Sequence, residues 1–326
     1  MRRGGTAGLL AGTLGAVLLL AGCSDDDDEP VFPPDPEASV APPAYDPELE
    51  PAAAVLALVP DAATVLTVTD FDQLRLQLGT PTLTSADPAP ERAEFWREVD
   101  AETAALTEGL LRPIEDQLAE DYGFTQDDVL WEAHFDGGGV EGWVLRFRDD
   151  LDMSAVRRAV DDGVGPLDGV QVAAEQRVVG VEVASHPDES WAADVELTEL
   201  VGSPAAATYL ERDCIPFDDA FGSGVREQLA TGPDEDMSEL AELGPFSVAF
   251  GSDLVTARLG PARPDVFARA RLADTMPETD PSFGEGFQRP VADPSTGRIG
   301  YSLGDPRAAA ELTLARHLPF AVCADS

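Results

Sequence analysis

The chain contains no lysine: all 21 of its basic side chains are arginine. That excludes chemistry built on an amine, including Schiff-base and pyridoxal phosphate catalysis, Ser-x-x-Lys acyl transfer and the phosphate-cradling loop that ends Gly-Lys-Ser/Thr. Histidine is scarce, with three residues (His134, His186, His317), and cysteine is as scarce, with Cys23, Cys214 and Cys323. Structural zinc therefore lacks a ligand set, and no cofactor is expected. Positive charge is short throughout, since 62 acidic residues against 21 basic ones leave a formal net charge of −41. Nucleic acid, which needs a basic footprint, is excluded as a partner. No apolar run reaches the ~20 residues of a membrane-spanning helix.

The greasiest stretch, residues 7–21, follows Arg2 and Arg3 and ends in Leu20-Ala21-Gly22-Cys23. A cationic start, a short apolar segment and small residues before a cleavage point have the layout of a secretory signal. The tetrapeptide itself resembles the lipobox of bacterial lipoproteins. The resemblance implies removal of residues 1–22, a diacylglycerol thioether with palmitate-type acyl chains on Cys23, and anchoring in the bilayer on the extracytoplasmic face of the cell membrane. It covers the first 23 residues and carries nothing about the folded body. The lysine-free, Ala-, Asp- and Gly-rich composition is similar to that of proteins from GC-rich, actinobacterial-type genomes. With Cys23 taken as the anchor, Cys214 and Cys323 remain as an even pair that an oxidising compartment allows to join; two free buried thiols are the alternative.

Residues 24–51 hold eight prolines, ten acids and no basic residue. Such a segment cannot bury a core. Proline and self-repulsion extend it, so that 28 residues reach about 80 to 90 Å at roughly 3.1 Å each. Residues 23–51 thus read as a lipidated cysteine plus an acidic tether.

The body, residues 52–326, is long enough for one large domain or two. Residues 62–79 open with a β-branched run and turn helical at Asp70. In the next segment Phe95, Val99, Leu106, Leu110, Ile114 and Leu118 recur at helical spacing, with a weaker turn at Glu102 and Thr103, predicting a long helix kinked or divided at Pro113 and stopped near Gly123, with a capping box at Thr125 and Asp128. Hairpins are predicted at 129–147, 170–184 and 246–260, helices at 152–162 and from Pro264, a strand at 298–304, and a last helix capped by Asp305-Pro306. Hairpins outnumber strand-helix-strand crossovers. The expected fold class is α+β, with mixed or antiparallel sheets and helices packed on them. Residues 58–72 echo residues 200–214; a duplication into halves 52–190 and 191–326 explains this, and so does a composition biased toward Ala, Val and Asp.

Three motifs touch chemistry. Gly300-Tyr-Ser-Leu-Gly304 matches a nucleophile elbow, making Ser302 the candidate nucleophile, but 24 residues after it leave no room for the acid and histidine of that fold, and Ile299, Tyr301 and Leu303 alternate as in a strand. Gly137, Gly139 and Gly142 match Gly-x-Gly-x-x-Gly, yet a strand and not a helix follows, so they read as a hairpin loop. In Trp131-Glu-Ala-His-Phe-Asp136, alternation places Glu132, His134 and Asp136 on one strand face. They are the metal candidate, and a solvated polar face is the default. No catalytic constellation stands out. The expected role is a non-enzymatic envelope lipoprotein that binds or scaffolds a small solute or an envelope protein; an extracytoplasmic solute-binding protein of a transporter is the alternative, and an envelope hydrolase comes third.

Overall fold

The computed structural model describes residues 44–222, 237, 240–275 and 280–324, all within one compact unit. The signal segment, Cys23 and the tether before residue 44 lie outside the described residues. Ten strands form a single sheet: β1 (Val65–Asp70), β2 (Val129–Gly137), β3 (Val140–Phe147), β4 (Gln171–Ala173), β5 (Val178–Val181), β6 (Ala207–Glu211), β7 (Phe246–Phe250), β8 (Leu254–Arg258), β9 (Phe287–Asp293) and β10 (Arg298–Leu303). Their order is β4-β5-β3-β2-β1-β6-β7-β8-β10-β9, and every neighbouring pair is antiparallel. The fold is α+β. Read outward from the central β1 and β6, the second five strands repeat the order of the first five, which is the arrangement a duplication leaves.

Cross-strand register separates two faces. One row runs Trp143, His134, Thr67, Tyr209, Val248, Ala257, Ile299; the opposite-facing row runs Val144, Ala133, Val68, Thr208, Ala249, Thr256, Gly300. The first face carries two helical layers. Over the first half, Phe95 and Val99 from the Ala89–Glu102 helix, Leu118 from Glu115–Asp121 and Val156 from Met153–Asp161 form one cluster. Over the second half, Phe217 and Phe221 from Phe217–Phe221, Val266 from Val266–Arg271 and Leu312 from Pro306–Leu314 join another. The reverse face is covered in the first half by Val55, Leu56, Val59 and Trp191. Tyr45, within the acidic segment, packs on that cluster.

Aspartate starts several of the helices. Asp70, Asp152, Asp194 and Asp305 each cap one, accepting backbone N–H groups of the first turn that have no intrahelical partner. Thr125 and Asp128 form the predicted capping box. At the β2–β3 turn, Gly138 has φ 61° and a Cβ there would lie 1.8 Å from the Ala62 carbonyl oxygen, so the glycine run serves a close backbone approach.

Two elements differ from what the sequence pattern announces. The long helix ends at Glu102, Thr103 is extended, and a separate helix starts at Glu115, so Leu106 and Leu110 sit in an intervening segment. Tertiary polar groups have captured its backbone: Leu106 N–H donates to Thr69 Oγ1 (3.1 Å), Leu110 N–H to Glu132 Oε2 (3.0 Å) and Leu111 N–H to Gln126 Oε1 (2.7 Å). The second is β9, which no alternation announced. It is an edge strand carrying Pro290, a residue tolerated there because the outer side needs no ladder donor.

Cys214 and Cys323 form a disulfide, with Cα atoms 4.9 Å apart across 109 residues of sequence. It ties the chain's end to the segment after β6, where Ile215 and Val322 also bridge. Nearby, the fully buried Arg269 pairs with Asp265 and donates to the Phe320 and Val322 carbonyls at 2.9 Å, holding the same end from the other side.

Candidate functional site

The two helical layers leave a crevice over the sheet centre. Its floor is Val65 and Thr67 of β1, flanked by His134 and Asp136 of β2 and Tyr209 of β6; its walls are Leu106 and Thr107 from the first half and Leu314 and Arg316 from the second. The cavity holds about 340 Å³. Leu106, Thr107 and Leu314 also line a neighbouring cavity of about 790 Å³ that runs between the Ala89–Glu102 and Pro306–Leu314 helices past Asp100, Glu108, Arg112 and Arg307. Together they make a continuous polar groove along the junction of the halves.

Strand alternation delivers the floor. Thr67 is register partner to both His134 and Tyr209, while Val65 is partner to Asp136 and Glu211, so two successive cross-strand rows present polar side chains to the same side. Glu132 is buried at 1% exposure, contrary to the solvated face expected of it. Its carboxylate accepts from Thr107 Oγ1, Leu110 N–H (3.0 Å), Gln126 Nε2 (3.0 Å) and His134 Nε2 (2.7 Å). Burial pushes the Glu132 carboxyl up, but the His134 contact, the Leu110 amide and the Thr107 hydroxyl outweigh it and hold the pKa below the usual value. His134 is half-exposed and Asp136 exposed.

A second network closes the other wall. Tyr209 donates its hydroxyl to Glu211 Oε2 at 2.6 Å, and Arg316 donates to both Glu211 and Asp219. Burial, then the Glu211 charge, raises the Tyr209 pKa, and burial also raises that of Glu211 against the pull of Arg316. The crevice presents a cation, an imidazole, a carboxylate and hydroxyls.

The metal candidate does not assemble. Glu132 spends its oxygens on four protein donors, and among the described residues no group of three His, Cys, Asp or Glu is arranged to hold a metal ion. Ser302 lies within β10 opposite Leu254 and Gln288, in ladder register with both neighbours. The groups that sequence reasoning missed, Thr107, Glu211 and Arg316, come from a non-helical segment, a strand end and a helix exit, and no local pattern joins them. Comparison with protein-family models, with curated proteins and with solved structures finds no match to this chain.

Proposed function

We propose that this chain is a cell-envelope lipoprotein, held on the outer face of the membrane through acylated Cys23, whose body binds a small polar solute or a side-chain cluster of another envelope protein. The observation that carries the binding role is the crevice around Thr67, His134, Asp136, Tyr209 and Arg316, concave, polar and built on the central strands of the sheet. A non-enzymatic role is favoured because the titratable groups beside it, Glu132 and Glu211, are each saturated by protein donors. A solute-binding protein that closes around its ligand needs two lobes on a hinge. Here the halves share the β1–β6 ladder from Val65–Glu211 to Thr69–Ala207, which supports a rigid receptor over a closing one.

A thermal-shift screen of the purified protein against amino acids, sugars, peptidoglycan fragments, divalent metals and small acids tests the binding role. A ligand at one hundred times its dissociation constant adds about 2.7 kcal/mol to stability, and the shift is expected to vanish in the half-exposed variant His134→Ala. Hydrolysis of ester or peptide substrates that disappears in Ser302→Ala would overturn the non-enzymatic reading. Labelling with a palmitate analogue, lost in Cys23→Ala, tests the anchor.

A further inference from the structure

Arginines are outnumbered about three to one by acids in this chain, and among the described residues one partly buried arginine has no carboxylate partner. Among the described residues, Arg75, Arg92, Arg112, Arg146, Arg148, Arg177, Arg212, Arg263, Arg269 and Arg316 are buried or partly buried and every one forms an ion pair. Arg258, also partly buried, has no such partner among them. It ends β8, and directly opposite it on β10 stands Arg298. Like charges so placed repel.

The surroundings leave Arg258 unsatisfied. Its Nη2 donates to Ser203 Oγ, but its Nε is buried with no hydrogen-bond partner. Burial lowers its pKa, and the neighbouring Arg298 lowers it further. Asp293, the register partner of Arg298 on β9, is turned into its own hairpin loop, accepting from Ser295 N–H (3.0 Å) and from the Ser295 and Thr296 hydroxyls. Both arginines line a cavity of about 670 Å³, walled by Gly260, Ser295, Thr296 and the segment bearing Glu196 and Glu199.

We infer that this cavity binds one oxyanionic group, a carboxylate or phosphoryl of a small solute, held between Arg258 and Arg298. An oxyanion there can be gripped by the guanidinium donors of Arg258 and Arg298 that face the cavity, and cancels the cross-strand repulsion. Glu196 and Glu199, which also line the cavity, and the net charge of −41 select against polyanions. The site is separate from the central crevice and does not depend on the role proposed for it.

Calorimetric titration of the purified protein with sodium phosphate and, separately, sodium acetate, each against chloride at constant ionic strength, tests the site. Saturable binding of at least one is expected, weakened about ten- to a hundredfold in Arg258→Gln and weakened also in Arg298→Gln. Phosphate alone identifies a phosphoryl group as the ligand chemistry and acetate alone a carboxylate. Arg298 is exposed, so its variant carries the comparison if Arg258→Gln does not fold. Saturation by neither anion, or equal affinity in the parent and the folded variants, overturns the assignment.

Discussion

Thr67, near the middle of β1, stands opposite Tyr209, the middle residue of β6, and through that pairing two five-stranded sets become one sheet. The two residues also hold corresponding places in the echoing stretches 58–72 and 200–214. A two-fold axis through the sheet centre requires such a pair. The crevice lies above this pair, between Leu106 and Thr107 of the first half and Leu314 and Arg316 of the second.

A shared ladder makes the halves thermodynamically one. Leu66 and Leu210 face each other in it, both fully buried. The body is therefore expected to melt in a single transition, with calorimetric and van't Hoff enthalpies equal, and Leu210→Ala is expected to cost about 2 to 5 kcal/mol without splitting it. Two resolved heat-capacity peaks would contradict this.

Glu132 supports a segment that has no helix of its own. Its removal in Glu132→Ala strands the Thr107 hydroxyl, the Leu110 amide, the Gln126 amide and the His134 ring, and is expected to cost about 3 to 5 kcal/mol in urea denaturation. The sign with pH follows from a folded pKa held below the unfolded one. Stability from this carboxylate is present above the unfolded pKa and lost as pH falls through the folded one. Glu132→Gln should lack that acid limb, and a parallel pH profile in both proteins would refute the account.

Sequence pattern reveals what repeats locally and hides what is assembled from afar. The hairpins at β2–β3 and β7–β8 were legible because alternation and a Gly- or Ser-Asp-marked turn lie within about twenty residues. The helix starts at Asp70, Asp152 and Asp305 were legible, the last from its capping Asp-Pro pair. Helical spacing misled at Leu106 and Leu110, where apolar periodicity continues although the backbone donors have gone to Thr69 and Glu132. The candidate site was legible in its β2 strand alone. Glu132 and His134 stood out, but their burial and their partners depend on Thr107 arriving from another segment and Arg316 from the far half.

The disulfide closes a loop of 109 residues around the second half. In the chain-entropy model such a crosslink contributes about 4 to 5 kcal/mol. Cys214→Ser with Cys323→Ser is expected to lower the guanidinium midpoint by a corresponding amount, and a reductant should reproduce the drop in the parent protein. A midpoint unchanged by both would show that the unfolded ensemble is not restricted by the bridge.

Asp70 combines two demands that conflict. It caps the Phe71–Gln77 helix, accepting from Gln73 N–H at 3.0 Å, and it is 6% exposed. Burial raises its pKa from 3.8 to about 7, against the lowering effect of that amide. An acid whose folded pKa lies above its unfolded value binds protons more tightly when folded, so its stabilising contribution is complete below the unfolded pKa and lost as pH rises toward neutrality. The fall across that window amounts to at most about 4 kcal/mol. Asp70→Asn keeps a capping oxygen and cannot ionise. It is expected to flatten the stability profile between acid and neutral pH and to match or exceed the parent at pH 7, as read from denaturation midpoints. A variant less stable than the parent at neutral pH would mean that the ionised carboxylate is the better cap, and that burial does not govern this position.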